Sequence, residues 1–196
     1  GTCFDIDTID IVVNALPDVQ FTVDTLGVCM VPAIPFEFTN TTDTTGGMVG
    51  TTLWNFGDGT TGSGDIVSHT YNAPGVYNVT LTVTSTPAAG GCSNTLIKNS
   101  FVEVYANPTA DYITTNNPAT VFDPTVHFID QSYVNITNWH WDIGGLATTN
   151  NQHHSYTFPE DTGTYIVTLT VRDNHGCENT VYNTVVIKGE HAVFVP

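Results

Sequence analysis

Apolar and polar side chains alternate along this chain in short runs. Between Tyr77 and Val83, the residues Tyr77, Val79, Leu81 and Val83 fall on one side, while Asn78, Thr80 and Thr82 fall on the other. That two-residue period predicts strands with one face buried and one wet. Glycine and proline interrupt the runs at Gly46-Gly47, Gly57, Gly59, Pro74-Gly75, Gly90-Gly91, Gly144-Gly145 and Pro159, where tight turns need free or fixed φ. No stretch carries a helical period, so the expected fold class is all-β.

The pattern returns on the scale of a whole domain. Gly1-Thr2-Cys3, Gly91-Cys92 and Gly176-Cys177 each precede a threonine and an alternating run of Val or Ile. Gly75-Val76-Tyr77-Asn78-Val79-Thr80-Leu81-Thr82-Val83 reappears as Gly163-Thr164-Tyr165-Ile166-Val167-Thr168-Leu169-Thr170-Val171. A repeat of this length is one β-sandwich, not one turn of a solenoid. Its phase divides the chain into residues 1–14, the last strand of a preceding repeat; 15–106 and 107–188, two complete repeats; and 189–196, the start of a following domain. The linkers Ala15-Leu16-Pro17 and Ala106-Asn107-Pro108 are short and each holds a proline. An extended, semi-rigid arrangement is expected from them.

Within 15–106, the series Trp54-Asn55-Phe56-Gly57-Asp58-Gly59-Thr60, His69-Thr70-Tyr71 and Pro74-Gly75-Val76-Tyr77 closely resembles the PKD family of immunoglobulin-like domains. The same residues make physical sense on their own. Trp54 and Phe56 lie two apart, share a face and can plug a sandwich core. Asp58-Gly59 can turn a hairpin in which glycine accepts positive φ and the carboxylate bonds nearby amides. In 107–188 the motif is degenerate: Trp139-His140-Trp141-Asp142-Ile143-Gly144-Gly145, then His154-Ser155-Tyr156, then Gly163-Thr164-Tyr165. Gly145 stands where Asp58 stands and Leu146 where Gly59 stands, so that turn must be built differently. The resemblance implies two immunoglobulin-like (PKD) β-sandwiches in tandem. Followed by His191-Ala192-Val193-Phe194-Val195-Pro196, the repeats also look similar to stalks of bacterial surface proteins associated with gliding motility and type IX secretion. That likeness implies an extracellular or cell-surface location.

Charge narrows the range of partners. Asp and Glu number 19 against three Lys and Arg, for a formal net charge of -16. Nucleic acid is excluded, because phosphate neutralisation needs clustered basic residues. Anionic membrane surfaces are disfavoured on the same ground. No apolar run reaches the roughly 18 residues of a membrane helix, so no membrane insertion is expected.

Few constellations suggest chemistry. Cys29 and Cys92 belong to one repeat, and a disulfide between them is expected in an oxidising compartment, the alternative being two separate thiols too far apart to bond. The second repeat has Cys177 but Val121-Phe122-Asp123-Pro124 where Cys29 would be, and Cys3 is expected to pair in the preceding domain. His153-His154 near His140 invites zinc, but His154 matches His69, and a backbone-bonding role at a strand entrance is the stronger interpretation. Asp5, Asp7, Asp10, Asp58, Asp65 and Asp173-Asn174 could supply calcium with oxygens, yet no Asp-x-Asp-x-Asp-Gly loop singles out ligands. No cofactor is therefore assigned. With no Gly-x-Ser-x-Gly, His-Glu-x-x-His or phosphate-cradling loop, no catalysis is expected.

The function expected from these features is a structural or adhesive stalk segment whose partners are its neighbouring repeats. The runner-up is a carbohydrate- or protein-binding accessory module of a secreted hydrolase, with Trp139, Tyr133 and Tyr112 as aromatic candidates for surface glycans, although core or strand-edge packing is the stronger interpretation of them because Trp139 and Trp141 share a face. A third course is strand addition to another copy through Ile9, Ile11 and Val13.

Overall fold

The computed structural model describes residues 14–43, 49–87 and 90–189. The strand expected before residue 14, with Cys3, Asp5, Asp7 and Asp10, lies outside the described residues, as do Gly46-Gly47 and 191–196. The alternating runs form strands, and the described residues contain no α-helix. The chain divides into two compact units. Among the described residues, one holds the chain from Asn14 to Val28 and Pro35–Glu103; the other holds Cys29–Ile34 and the chain from Val104 to Gly189.

The first unit is built from β1 (Phe21–Val23), β2 (Gly27–Cys29), β3 (Phe36–Asn40), β4 (Val49–Asn55), β5 (Thr61–Gly62), β6 (Ile66–His69), β7 (Gly75–Ser85) and β8 (Ser93–Tyr105). They form two sheets, β1-β3-β6 and β2-β8-β7-β4-β5. The second unit comprises β9 (Tyr112–Thr115), β10 (Ala119–Thr120), β11 (Thr125–Asp130), β12 (Ile136–Ile143), β13 (Thr148–Thr149), β14 (His153–Thr157), β15 (Gly163–Asp173) and β16 (Glu178–Lys188). Its sheets are β9-β11-β14 and β10-β16-β15-β12-β13, the same strand order again.

Each core follows from the alternation. Along β7, Val79, Leu81 and Val83 are buried, and along β15, Val167, Leu169 and Val171. Facing sheets add Phe36 and Phe38 in the first unit and Val126 and Phe128 in the second. A fully buried tryptophan fills each centre, Trp54 on β4 and Trp141 on β12. Burial demands a partner for the indole N–H, and it is a carbonyl ten residues on. Trp54 Nε1 donates to Gly64 O at 2.8 Å and Trp141 Nε1 to Asn151 O at 2.9 Å.

The first strand of each unit carries an aromatic edge-on to that tryptophan, Phe21 at 5.2 Å and Tyr112 at 4.9 Å. Tyr112 also has a hydroxyl to satisfy. It donates to Val167 O at 2.7 Å and accepts from Asn183 N at 3.1 Å, standing between paired residues of β15 and β16. Burial pushes its phenol up to about 12, so the donor proton stays in place. Phe21 lacks that group, and Lys98 occupies its neighbourhood instead. Its Nζ donates to Phe21 O at 2.6 Å and sits 4.6 Å from the Phe21 and Phe101 ring centres.

The disulfide differs from the sequence expectation. Cys29 bonds to Cys177, and Cys92 remains a thiol. The reason is the length of β8. Cys29 ends β2, which pairs near the far end of β8, where Glu103 N donates to Leu26 O and Met30 N to Tyr105 O. Cys92 precedes the other end of that strand. At ~3.3 Å per residue the two ends stand on the order of 35 Å apart, whereas bonded cysteines need Cα atoms within about 7 Å. Cys29–Ile34 instead packs within the second unit, where the Asn107 side chain accepts from Val31 N at 2.7 Å and donates to Val31 O and Glu178 O, each at 2.8 Å.

Peptide mapping without reduction should recover Cys29 and Cys177 in one cross-linked species, and Cys92→Ser should leave that species intact. Cys177→Ser should lower unfolding stability by roughly 2–5 kcal/mol in chemical denaturation. A Cys29–Cys92 cross-link would contradict the arrangement.

Candidate functional site

The motif residues of the first unit converge on the turn after β4. Phe56 continues the inward face of Trp54, and Gly57 follows at φ 83°, where a Cβ would lie 2.4 Å from Asn78 O. Only glycine fits there. Asp58 then bonds forward: its Oδ1 accepts from Thr60 N at 3.0 Å and Thr60 Oγ1 at 2.6 Å. Gly59, at φ 90°, lets the chain reverse into β5.

Across the turn, β6 brings His69 to the same carboxylate, with Nε2 at 2.8 Å from Asp58 Oδ2. The imidazole lies flat on Phe56, ring centres 4.1 Å apart and planes 6° apart, and meets the edge of Tyr71 at 4.6 Å. Tyr71 donates to Phe56 O at 2.9 Å and stacks on Tyr77 at 4.0 Å. Tyr77, beside Gly75, donates to Ala73 O at 2.7 Å. Asp58, Thr60, His69 Nε2 and both tyrosine hydroxyls are spent on the turn or its flanks, so the cluster locks a hairpin. Burial pushes the Asp58 carboxyl up, but the Thr60 hydroxyl and amide and the His69 imidazole outweigh it and hold it below the ordinary range.

The second unit builds this turn with its carboxylate at a different position, before the glycines instead of between them. Gly144 and Gly145 both take positive φ, and Gly145 N donates to Asp142 Oδ1 at 2.8 Å. The register also corrects the expected match of His154 with His69: Phe38 pairs with Val67 and Phe36 with His69, whereas Phe128 pairs with His154 and Val126 with Tyr156, so Tyr156 stands where His69 stands. Phe158 takes the place of Tyr71: it meets Tyr156 edge-on at 4.9 Å, as Tyr71 meets His69, and lies against Tyr165 at 4.8 Å, as Tyr71 lies against Tyr77. Gly163 opens β15 with its missing Cβ only 3.1 Å from the Tyr165 ring.

A polar node that the sequence did not single out lies at Asp130, 6% exposed at the end of β11. Its Oδ1 accepts from Ser132 N at 2.9 Å; its Oδ2 accepts from Trp139 Nε1 at 2.8 Å and Gln152 Nε2 at 3.1 Å. Burial raises this carboxyl, and those donors more than reverse the effect. Two of the aromatic candidates for glycans are thereby removed: Trp139 is half-buried with its N–H bound, and Tyr112 is a core residue. Tyr133 is 60% exposed. His153 Nδ1 accepts from Asp130 N at 3.2 Å, and His140 lies on the outer face of β12, bonded to Asn150. Asp173 Oδ1 is taken by the amides of His175 and Cys177, which shapes the loop holding the disulfide. Among the described residues, no three His, Cys, Asp or Glu side chains gather closely enough to hold a metal ion.

Asp58→Asn should cost about 1 kcal/mol of stability at neutral pH. Because the folded pKa of Asp58 lies below its unfolded value, its contribution is complete above the ordinary Asp range and is lost as pH falls through the folded value. Denaturation at pH 7 and pH 3 should show the gap between wild type and Asp58→Asn shrinking in acid; an unchanged gap would count against the ionised lock.

No curated protein sequence matches the chain. Among solved structures, the PKD1 domain of Vibrio anguillarum Epp aligns at 22% identity over 43% of this chain and 96% of its own, with a TM-score of 0.38. The PKD1 domain of the Vibrio cholerae metalloprotease PrtV aligns at 25% over 42% and 98%, with a TM-score of 0.37. A carbohydrate-binding module of the β-sandwich superfamily aligns at 17% over 89% and 98%, with a TM-score of 0.42. The family model described as "PKD domain" matches residues 14–99 and again 105–188, and the chain belongs to that family as two PKD domains in tandem.

Proposed function

We propose that the chain is a non-catalytic, tension-bearing segment of a secreted or cell-surface protein, serving as a stalk or adhesive spacer. The observation that carries this reading is the covalent route from Cys29 to Cys177, which are separated by 148 residues. Strands β3 to β15 all lie between those two cysteines. A pull on the chain ends runs through one sulfur–sulfur bond and bypasses the sandwiches it encloses. Such a bond persists in oxidising compartments, which agrees with an extracellular setting. The family is one of immunoglobulin-like modules that do not themselves catalyse, although they accompany enzymes. The narrower context, a gliding-motility-associated surface protein exported by the type IX route, rests on the resemblance of the tandem repeats together with residues 191–196.

Single-molecule stretching of the whole chain between terminal handles tests the proposal. Without reductant, the stretch enclosed by Cys29 and Cys177 should stay folded or hidden. Dithiothreitol should release a further 148 residues, about 500 Å of chain at ~3.4 Å per residue. Equal extension with and without reductant would remove the tension-bearing reading.

A further inference from the structure

The outer face of the long sheet in the second unit carries a set of side chains with no structural duty in the core. Three rows cross β12, β15 and β16: Asn138, Arg172 and Glu178; His140, Thr170 and Thr180; Asp142, Thr168 and Tyr182. Rows on a sheet repeat about every 6.6 Å along a strand, and neighbouring strands lie ~4.8 Å apart, so this is a flat grid of hydrogen-bonding groups. A groove of about 500 Å³ runs over the first two rows, between Trp139, Asn150 and Glu178.

The grid is held in place by its own bonds. Arg172 Nε donates to Glu178 Oε1 at 2.8 Å and Nη2 reaches the same oxygen. Thr170 and Thr180 share a 2.9 Å hydroxyl bond. His140 Nδ1 is tied to the Asn150 side-chain amide at 3.0 Å, which fixes the imidazole over the groove that both residues line. Tyr182 closes the third row with its ring 70% exposed.

We infer that this face is a binding site for a neutral polysaccharide. An exposed ring in line with a groove of fixed donors and acceptors suits a polymer: the apolar side of one pyranose can lie on Tyr182 while the hydroxyls of its neighbours along the chain meet the Thr, Asn, His and Arg–Glu groups of the first two rows. Charge selects a neutral polymer over an acidic one: Glu178 cancels Arg172 locally, and the chain as a whole carries -16. A protein partner would call for a wider apolar centre, and Tyr182 is the one large apolar side chain among the nine grid residues. The first unit offers an internal contrast. It keeps the threonine pair, Thr82 with Thr95 at 2.9 Å, but has Thr84 with Ser93 beside it and Leu53 opposite Thr82, so ion pair and histidine are missing there. The two units share a framework and differ at this face.

Affinity electrophoresis of the whole chain in mixed-linkage β-glucan, xylan and glucomannan, with alginate and polygalacturonate in parallel, is the test. At least one neutral polymer should retard the chain, with little dependence on salt. Tyr182→Ala and Arg172→Ala should each weaken retardation roughly tenfold, and Leu53→Ala in the first unit should leave it unchanged, with melting curves matching wild type throughout. Failure of all three neutral polymers to retard the chain, retardation by the acidic polymers only, or full retention by Tyr182→Ala would each overturn the inference. None of these outcomes bears on the stretching experiment, which reads the disulfide alone.

Discussion

Each sandwich depends on one buried tryptophan whose indole N–H must find a carbonyl. A ring of that size occupies the centre only if its strand lies between the long strand of its own sheet and the aromatics of the other. Its N–H is satisfied only if the chain ten residues later has returned to the same place. Those two demands set the length of the hairpin after β4 and after β12, and the hairpin in turn places β6 and β14. A sequence that met the first demand and missed the second would bury an unpaired donor at a cost of about 1–3 kcal/mol. Both repeats meet both demands, through the carbonyls of Gly64 and Asn151, although the turns between differ.

That difference separates what the fold requires from what it tolerates. The Asp58–His69 lock is two side chains, each 14% exposed, joined at the surface of a hairpin. Bonds of this kind contribute modestly, and the second repeat does without one. It compensates away from the turn. At the end of β11 the first repeat has Asn40, bonded to Thr42 N and Asp65, where the second has Asp130, whose oxygens accept from Ser132, Trp139 and Gln152. Bonds to a buried carboxylate are stronger than those between neutral groups. The edge of β16 is likewise covered by a side chain, since Asn117 accepts from Val186 N and donates to Thr184 O as a neighbouring strand would.

Local features were legible in the sequence, and long-range ones were not. The tandem sandwiches followed from alternation and repeat phase, since Tyr77 to Val83 and Tyr165 to Val171 each state which residues face inward. The crowding at Gly57 and the closure at Asp58 involve residues a few positions apart, within reach of turn chemistry. The disulfide was misjudged because nothing in composition announces that β8 runs from Ser93 to Tyr105 without a break. That Trp139 packs inward was legible from the face it shares with Trp141, but its acceptor was not, because Asp130 lies on another strand in the opposite sheet. Tyr182 escaped notice for the converse reason: on an outward position of a threonine-rich strand it reads as ordinary solvent face, until cross-strand register sets it in one row with Thr168 and Asp142, next to the row of His140.

The two kinds of stabilisation ask different things of the sequence. A hairpin lock acts over a few residues and constrains its own sequence, because Gly57, Asp58, Thr60 and His69 must all be present for it to form. A disulfide acts on chain entropy, and its effect grows with the length enclosed while asking almost nothing of the residues inside. Cys177 is held for that bond by Asp173 and Cys29 by the strand end before Met30. The enclosed stretch holds strands of both repeats, so the bond constrains both while leaving each to build its own turn and its own outer sheet face over an unchanged core pattern.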